Sequence, residues 1–368
     1  MKRRHFITIM GTGMLLNPLS TLFALPKRTL DYEKWNSFRL TYHITLPTTG
    51  KTARLWLPLP ADTSDNTFQF TQGNLWNGTA QKAQFTNLKN SSFPVFFAEW
   101  QGNNERQATV SSIVKTSNHF IDLTTYTAGN KTTIPNSIQP FLKPTRLLPL
   151  KGIVLNTATT IIQENNATTT IDKARAIYDW VIDNTHHNPD LQRRGTGDIK
   201  FMLDNQQMHG ESVDINSLFV GLTRAIGIPA RIQYGIRMNE SELHPSLGKI
   251  NDITHLQHCR AEFYLNNIGW VPVNPADVSK VVHLGNLPRD HPSITNLRKK
   301  FFGTWEMNWI TFNHLQDIQL TPHSAAGKLP FFMFPHAEID GQRLDSQDPD
   351  NFAYKITSSL LVGTGSKF

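Results

Sequence analysis

The sequence predicts an α+β fold: a β-rich N-terminal domain, a core of helices packed on an antiparallel sheet, and a C-terminal extension. Three observations carry this. Apolar residues alternate with polar ones over residues 38–59, recur at helical spacing between residues 170 and 226, and give way to an aromatic-rich tail after residue 290. A chain of 368 residues can bury more than one core.

The opening "MKRRHFITIMGTGMLLNPLSTLFALP" joins a basic start to a broken apolar stretch and small residues near Ala24. That composition reads as an export signal over residues 1–25. Arg3, Arg4 and Phe6 fit a twin-arginine motif, so the expected location is periplasmic or otherwise exported. In "FRLTYHITL", Phe38, Leu40, Tyr42, Ile44 and Leu46 fall on one face of a half-buried strand, and Leu55, Leu57 and Leu59 keep the same period in "ARLWLPLP". "FPVFFAEW" and "QATVSSIV" are further strands between turn residues. Residues 33–130 are therefore expected to form a β-sandwich-like domain.

The proline-punctuated "TIPNSIQPFLKPTRLLPL" reads as a connection. In "TTTIDKARAIYDWVIDNT", Ala174, Ile177 and Val181 share a helical stripe, with Thr169 and Asp172 as a capping box. Residues 213–226 repeat the pattern through Leu218, Phe219, Leu222 and Ile226 until Gly227 and Pro229 end it. Three strands, "RIQYGIRM", "HCRAEFYL" and "GWVPVNP", complete a core spanning residues 135–290. "FFGTWEMNWITF" and "KLPFFMF" mark residues 291–368 as an extension packed on that core.

Composition narrows the function. Loss of the signal removes Lys2, Arg3 and Arg4 and no acid, lowering the formal charge from +7 to +4. "RKK" at 298–300 is a solvated face, so no nucleic-acid partner is expected. No later segment has the length and apolarity of a membrane span. Cys259 is the single cysteine and cannot form an intramolecular disulfide. No cofactor is expected, because "GTGD" at 195–198 is too short and wrongly placed for a dinucleotide loop. No metal is expected either: the three-residue step from His255 to His258 enters a strand, where it separates side chains to opposite faces, and no cysteine cluster supports zinc.

The richest stretch is "HGESVDINSLFVGLTRAIGIPAR", residues 209–231. It places Ser212 at a helix start, either as a helix cap or as a small nucleophile where free N–H groups favour an oxyanion. His258 opens a strand and is the candidate base. Asn274, at the end of the next strand, would orient the imidazole, with Asp277 as a substitute. Alternation turns Cys259 towards a core with Ala261, Phe263 and Leu265. Asp214 is expected to orient or cap the helix start, and Trp270 to pack either over the imidazole side of the site or in plain core.

The ordered motifs "GES-VDINSLFVGLTRAIGIPAR", "HCRAEFYL" and "GWVPVNPAD", preceded by "KARAIYDWV" and "GDIKFML" and followed by "FGTWEMNW", resemble the transglutaminase-like superfamily of papain-like cysteine enzymes, most closely its exported bacterial branch. The resemblance runs from about residue 36 to the C-terminus. It implies a Cys-His-Asp site whose positions hold Ser212, His258 and Asn274 here. An Asn third member serves in Cys-His-Asn proteases, but a serine hydroxyl cannot become the preformed anion that a thiol can. Serine then depends on His258 as base, supported by a carboxylate that Asn274 lacks. In a Ser-His-Asp hydrolase that Asp→Asn change costs about 10⁴ in turnover, roughly 5–6 kcal/mol.

The expected function is thus a degenerate Ser-His-Asn site that binds peptide or protein amides with little or no turnover. The alternatives are an amidase, peptidase or transglutaminase-type enzyme using Ser212, or a thiol enzyme carrying an engineered Cys→Ser change. A further possibility is that the β domain is a binding module and the working part.

Overall fold

The computed structural model describes residues 31, 33–63, 67–126, 133–188, 195–348 and 351–361. The expected export signal, residues 1–25, lies outside them. Among the described residues no helix is long and apolar enough to cross a membrane.

Alternation builds the first part as expected. It comprises β1 (Trp35–Leu46), β2 (Thr52–Pro58), β3 (Gln69–Gly78), β4 (Lys82–Asn87), β5 (Pro94–Gln101), β6 (Arg106–Ser117) and the short β7 (His119–Phe120). β1 pairs antiparallel with β6 from Trp35↔Ser117 to Leu46↔Arg106, and β2 pairs with β5 from Thr52↔Gln101 to Pro58↔Val95. Phe38, Leu40, Tyr42, Ile44 and Leu46 are all buried, in one apolar cluster with Leu55, Leu57 and Phe96. Each such side chain contributes about 1.5–3 kcal/mol by leaving water. The Tyr42 hydroxyl donates to the Pro58 carbonyl at 2.8 Å, linking the two sheets.

The core follows with α1 (Ile153–Glu164), α2 (Thr170–Asn184), β8 (His186–His187), α3 (Ile199–Asp204), β9 (His209–Gly210), α4 (Ser212–Ala225), β10 (Ala230–Arg237), β11 (Asn251–Asp252), β12 (Gln257–Leu265), β13 (Gly269–Val273), α5 (Pro275–Gly285) and α6 (Pro292–Lys300). The Thr169–Asp172 capping box is formed, with Asp172 N–H on Thr169 Oγ1 at 3.1 Å and Thr169 N–H on Asp172 Oδ2 at 3.1 Å. α4 is buried from Ser212 to Arg224. It packs on β12 and β10 on one side and on α1, α2 and α5 on the others. Its buried polar side chains include Asn216, whose Nδ2 donates to the Cys259 carbonyl at 2.8 Å, and Arg224, whose Nε donates to the Ala230 carbonyl at 2.7 Å. Gly227, at φ +81°, lets the chain leave α4 through a left-handed turn.

The last part departs from expectation. Residues 291–368 were expected to be an extension lying on the core; beyond α6 they instead supply strands to every main sheet. β14 (Thr304–Trp305) pairs with β7, and β15 (Trp309–Asn313) completes the core sheet in the order β13-β12-β10-β15. β16 (His336–Ile339) and β17 (Gln342–Arg343) extend the sheet β17-β16-β2-β5-β4, and β18 (Ala353–Leu361) lies between β11 and β1 in β11-β18-β1-β6-β3. The physical reason is edge satisfaction: β1 and β2 would otherwise leave a row of backbone groups unpaired.

Candidate functional site

The loop before α4 is set by Asp214. Its Oδ1 accepts from Gly197 N–H at 2.9 Å and its Oδ2 from Glu211 N–H at 3.0 Å. Burial lifts this carboxyl above its ordinary range despite those bonds. A Cβ at Gly210 would stand 2.5 Å from Asp214 Oδ2, so the close approach of this loop requires glycine. Asp214 thus acts on the helix start, one of the two roles considered for it. Glu211 occupies the N-cap position and Ser212 is the first helical residue, so Ser212 is not the cap.

The Ser212 side chain instead reaches the neighbouring strand. Its Oγ accepts a long bond from Cys259 N–H at 3.4 Å and lies 3.7 Å from Cys259 Sγ. The apolar face of β12 is the one α4 packs on, so the residue facing the helix start is Cys259. Ser212 and His258 line the same cleft of about 260 Å³, together with His187, Glu211, Arg237 and Lys280. Among the described residues no hydrogen bond joins the hydroxyl to the imidazole.

His258 is held from its other side. Nε2 lies 3.0 Å from Arg237 Nη2 and 3.2 Å from Asp277 Oδ1. Arg237 and Asp277 are themselves ion-paired, and Arg237 Nη1 donates to the Leu247 carbonyl at 2.7 Å. The third-member assignment is therefore corrected: the group beside the imidazole is Asp277, and Asn274 stands one bond further away. Asn274 Nδ2 donates to Asp277 Oδ2 at 2.5 Å, while Asn274 Oδ1 accepts from Asp277 N–H at 3.2 Å. Asn274 follows directly on the end of β13 and caps α5, with Pro275 at the first helical position.

Burial and then the Arg237 cation push the His258 pKa down to about 3, against the opposing pull of Asp277. Burial resists ionisation of Asp277, but Arg237 and then His258 hold its carboxyl well below the usual carboxylate range. The pair at neutral pH is therefore a neutral imidazole beside a carboxylate already matched by a guanidinium. Burial, with Arg237 beside it, lowers Lys280 to about 8, and Lys280 forms no ion pair among the described residues. His187 falls to about 4 through burial and the nearby Lys280. Cys259 has no exposed surface, and burial pushes its thiol up to about 12. It is inert packing.

Trp270 is not over this imidazole. It lies under Arg231, whose guanidinium sits 4.0 Å from its ring, and contacts Phe141 and Tyr264 edge-on. The strand register explains this: Trp270 faces Tyr264, six residues along β12 from His258. Of the cleft's polar residues, His187, Glu211, Arg237 and Lys280 were missed, and two of them could have been found. Arg237 shares the polar alternation of Arg231, Gln233 and Gly235, and Gly235 pairs with His258, so register would have pointed to it. Lys280 is three residues from Asp277 on α5, a helix whose Asn-Pro-Ala-Asp start was read as a strand end.

A sequence profile of the transglutaminase-like superfamily matches residues 157–275, a span holding Ser212, His258 and Asn274. An uncharacterised protein of Haemophilus influenzae is 31% identical over 341 residues, covering 88% of this chain and 91% of the relative. Residues 157–275 of this chain are a transglutaminase-like superfamily domain. Among solved structures, a candidate cysteine protease from Cytophaga hutchinsonii aligns over 91% of this chain and 94% of its own at TM-score 0.50 and 13% identity, a likeness of fold. The periplasmic domain of TgpA from Pseudomonas aeruginosa aligns over 71% of this chain and 92% of its own at TM-score 0.32 and 13% identity. The expected α+β class is met: this transglutaminase-like chain has the papain-like arrangement of helices on an antiparallel sheet. Asp277 and Lys280 lie just beyond the matched span.

Proposed function

We propose that this chain is an exported transglutaminase-like protein whose cleft binds a peptide or protein amide with little or no turnover. One observation carries the reading: among the described residues no hydrogen bond joins Ser212 to His258, whose Nε2 is held by Arg237, and Ser212 Oγ only accepts a long bond from Cys259 N–H. A serine nucleophile needs a base to remove its proton in the transition state. An imidazole whose pKa lies near 3 is a weak proton acceptor at neutral pH. The Asp277 charge that would stabilise an imidazolium is already compensated by Arg237. What remains is a cleft with a helix N-terminus and polar side chains suited to holding an amide carbonyl.

A second reading has one observation in its favour. Asp277, 3.2 Å from His258 Nε2, supplies the carboxylate that Asn274 lacks, which supports an acyl-transfer enzyme with Ser212 as nucleophile and Asp277 as orienting group. Fluorophosphonate labelling separates the two, with Ser212→Ala as the blank. The binding reading expects labelling of the natural chain no faster than the blank. Faster labelling that maps to Ser212 sinks it in favour of the enzyme.

A further inference from the structure

Outside the network around His258, the Ser212 cleft holds a side chain whose hydrogen bonds are unmade. Gln257, the first residue of β12, lines the cleft, and both polar atoms of its carboxamide are closed off from solvent without a partner among the described residues. We propose that Gln257 is the residue with which the cleft grips its ligand, Nε2 donating to a carbonyl while Oε1 accepts from an N–H beside it. This role rests on the proposed reading of the cleft as an amide site, and it holds whether or not the amide is cleaved.

Its place in the fold follows from the way α4 lies on β12. Ser212 Oγ is 3.7 Å from Cys259 Sγ, Asn216 Nδ2 donates to the Cys259 carbonyl at 2.8 Å, and the Phe219 and Phe263 rings meet at 6.5 Å. The helix thus starts at Cys259 and runs towards Phe263. Alternation gives Gln257 the face that Cys259 and Phe263 share. Two residues before Cys259, it stands beyond the start of α4, on the side towards which the first N–H groups of a helix point. An amide lodged beside Ser212 meets Gln257 as its next neighbour on that face.

Folding strips both carboxamide atoms of water and returns no bond, a cost that an apolar side chain of the same shape avoids. A ligand that supplies both bonds removes it, and the three side-chain torsions of glutamine let the carboxamide turn to meet one. A carboxamide presents its donor and its acceptor in one plane. Two partners answer both at once. One is the C=O and N–H of a single residue in an extended main chain, which point to the same side; the other is a primary carboxamide. A carboxylate brings no donor and an ammonium no acceptor, so either leaves one atom unbonded.

The test titrates the full chain, ¹⁵N-labelled at glutamine, with three probes. Acetyl-trialanine methylamide carries the main-chain pair and butanamide the primary carboxamide. The all-ester counterpart of the peptide, built from lactate, has the carbonyls but no N–H. The Gln257 Nε2 signals, assigned by their absence in Gln257→Met, report contact. The expected result is saturable binding of the peptide or of butanamide that moves those signals, with the ester about tenfold weaker than the better amide. Gln257→Met should bind amide and ester alike and melt at the same temperature or higher, whereas a glutamine bonded within the resting protein would lose stability on that change. Amide binding unaltered in Gln257→Met, an ester held as tightly as the amide by the natural chain, or a lower melting temperature of the variant overturns the role of Gln257 and leaves the amide reading standing. Failure of both amides to bind overturns the two together.

Discussion

Arg237 Nη2 stands 3.0 Å from His258 Nε2, and an arginine has no lone pair to offer. A hydrogen bond between them therefore requires Nε2 to accept, which places the imidazole proton on Nδ1. Asp277, 3.2 Å from the same nitrogen, asks for the opposite tautomer, with Nε2–H donating. Only the second leaves Nδ1 free to receive a proton, so Arg237 biases the ring against base chemistry. We expect ¹⁵N spectra of labelled histidine to show His258 with its proton on Nδ1. Arg237→Met should move the proton to Nε2 and raise the His258 pKa. An Nε2–H ring in the natural chain would contradict this account.

Restoring a thiol probes the electrostatics of the helix start. Ser212→Cys should alkylate with iodoacetamide along a curve whose midpoint lies below the pKa of about 8.5 of a free cysteine, because the α4 N-terminus and nearby Lys280 and Arg237 favour the anion. The natural chain serves as its own control. Cys259, fully buried with its thiol raised to about 12, should remain unmodified until the protein is denatured. A midpoint at or above that of free cysteine would mean that the cleft does not stabilise negative charge.

Acid should weaken the fold over a defined window. His258 and His187 are neutral when folded, with pKa values near 3 and 4, and regain an ordinary value of 6.5 on unfolding. Between those limits the unfolded chain binds more protons, so stability falls as pH drops from 6.5 towards 4. The urea midpoint should be lower at pH 5 than at pH 7.5, with a smaller difference in His258→Gln. Equal midpoints in the natural chain would rule out buried neutral imidazoles.

The two polar residues at the start of α5 should separate by magnitude. Asp277→Ala leaves Arg237 buried without its carboxylate, a loss of about 3–5 kcal/mol. Asn274→Ala removes a helix cap and one bond to Asp277, a loss of about 0.5–2 kcal/mol. Urea unfolding measures both, and a larger loss for Asn274→Ala would return that residue to the central role the sequence suggested.

Period and capping were legible because they are local. The alternation of Phe38 to Leu46, the Thr169–Asp172 box and the stop at Gly227 each depend on a few adjacent residues, and each stands where the pattern placed it. Ser212 and His258 were legible as neighbours of one cleft because helix start and strand start are motif positions. Of the partners of His258, Asp277 was offered only as a substitute for Asn274 and Arg237 not at all, because both depend on register and on a helix begun by Asn274. Trp270 was misplaced for the same reason: a strand residue's neighbours are set by the partner strand, not by its own sequence. The strands given to distant sheets by residues 304–361 were the least legible, since nothing local in "AYKITSSLL" names β1 as its partner.

That last pairing constrains any attempt to take the molecule apart. β1 is flanked by β6 on one side and by β18 on the other, from Ser37↔Leu361 to Thr45↔Ala353. A ribosome must release the chain through residue 361 before β1 can acquire its second neighbour. Excising the leading β region would take a partner from three trailing strands, β14, β16 and β18, and trimming the tail would bare the opening one, so the chain works as a clasp and not as beads on a string.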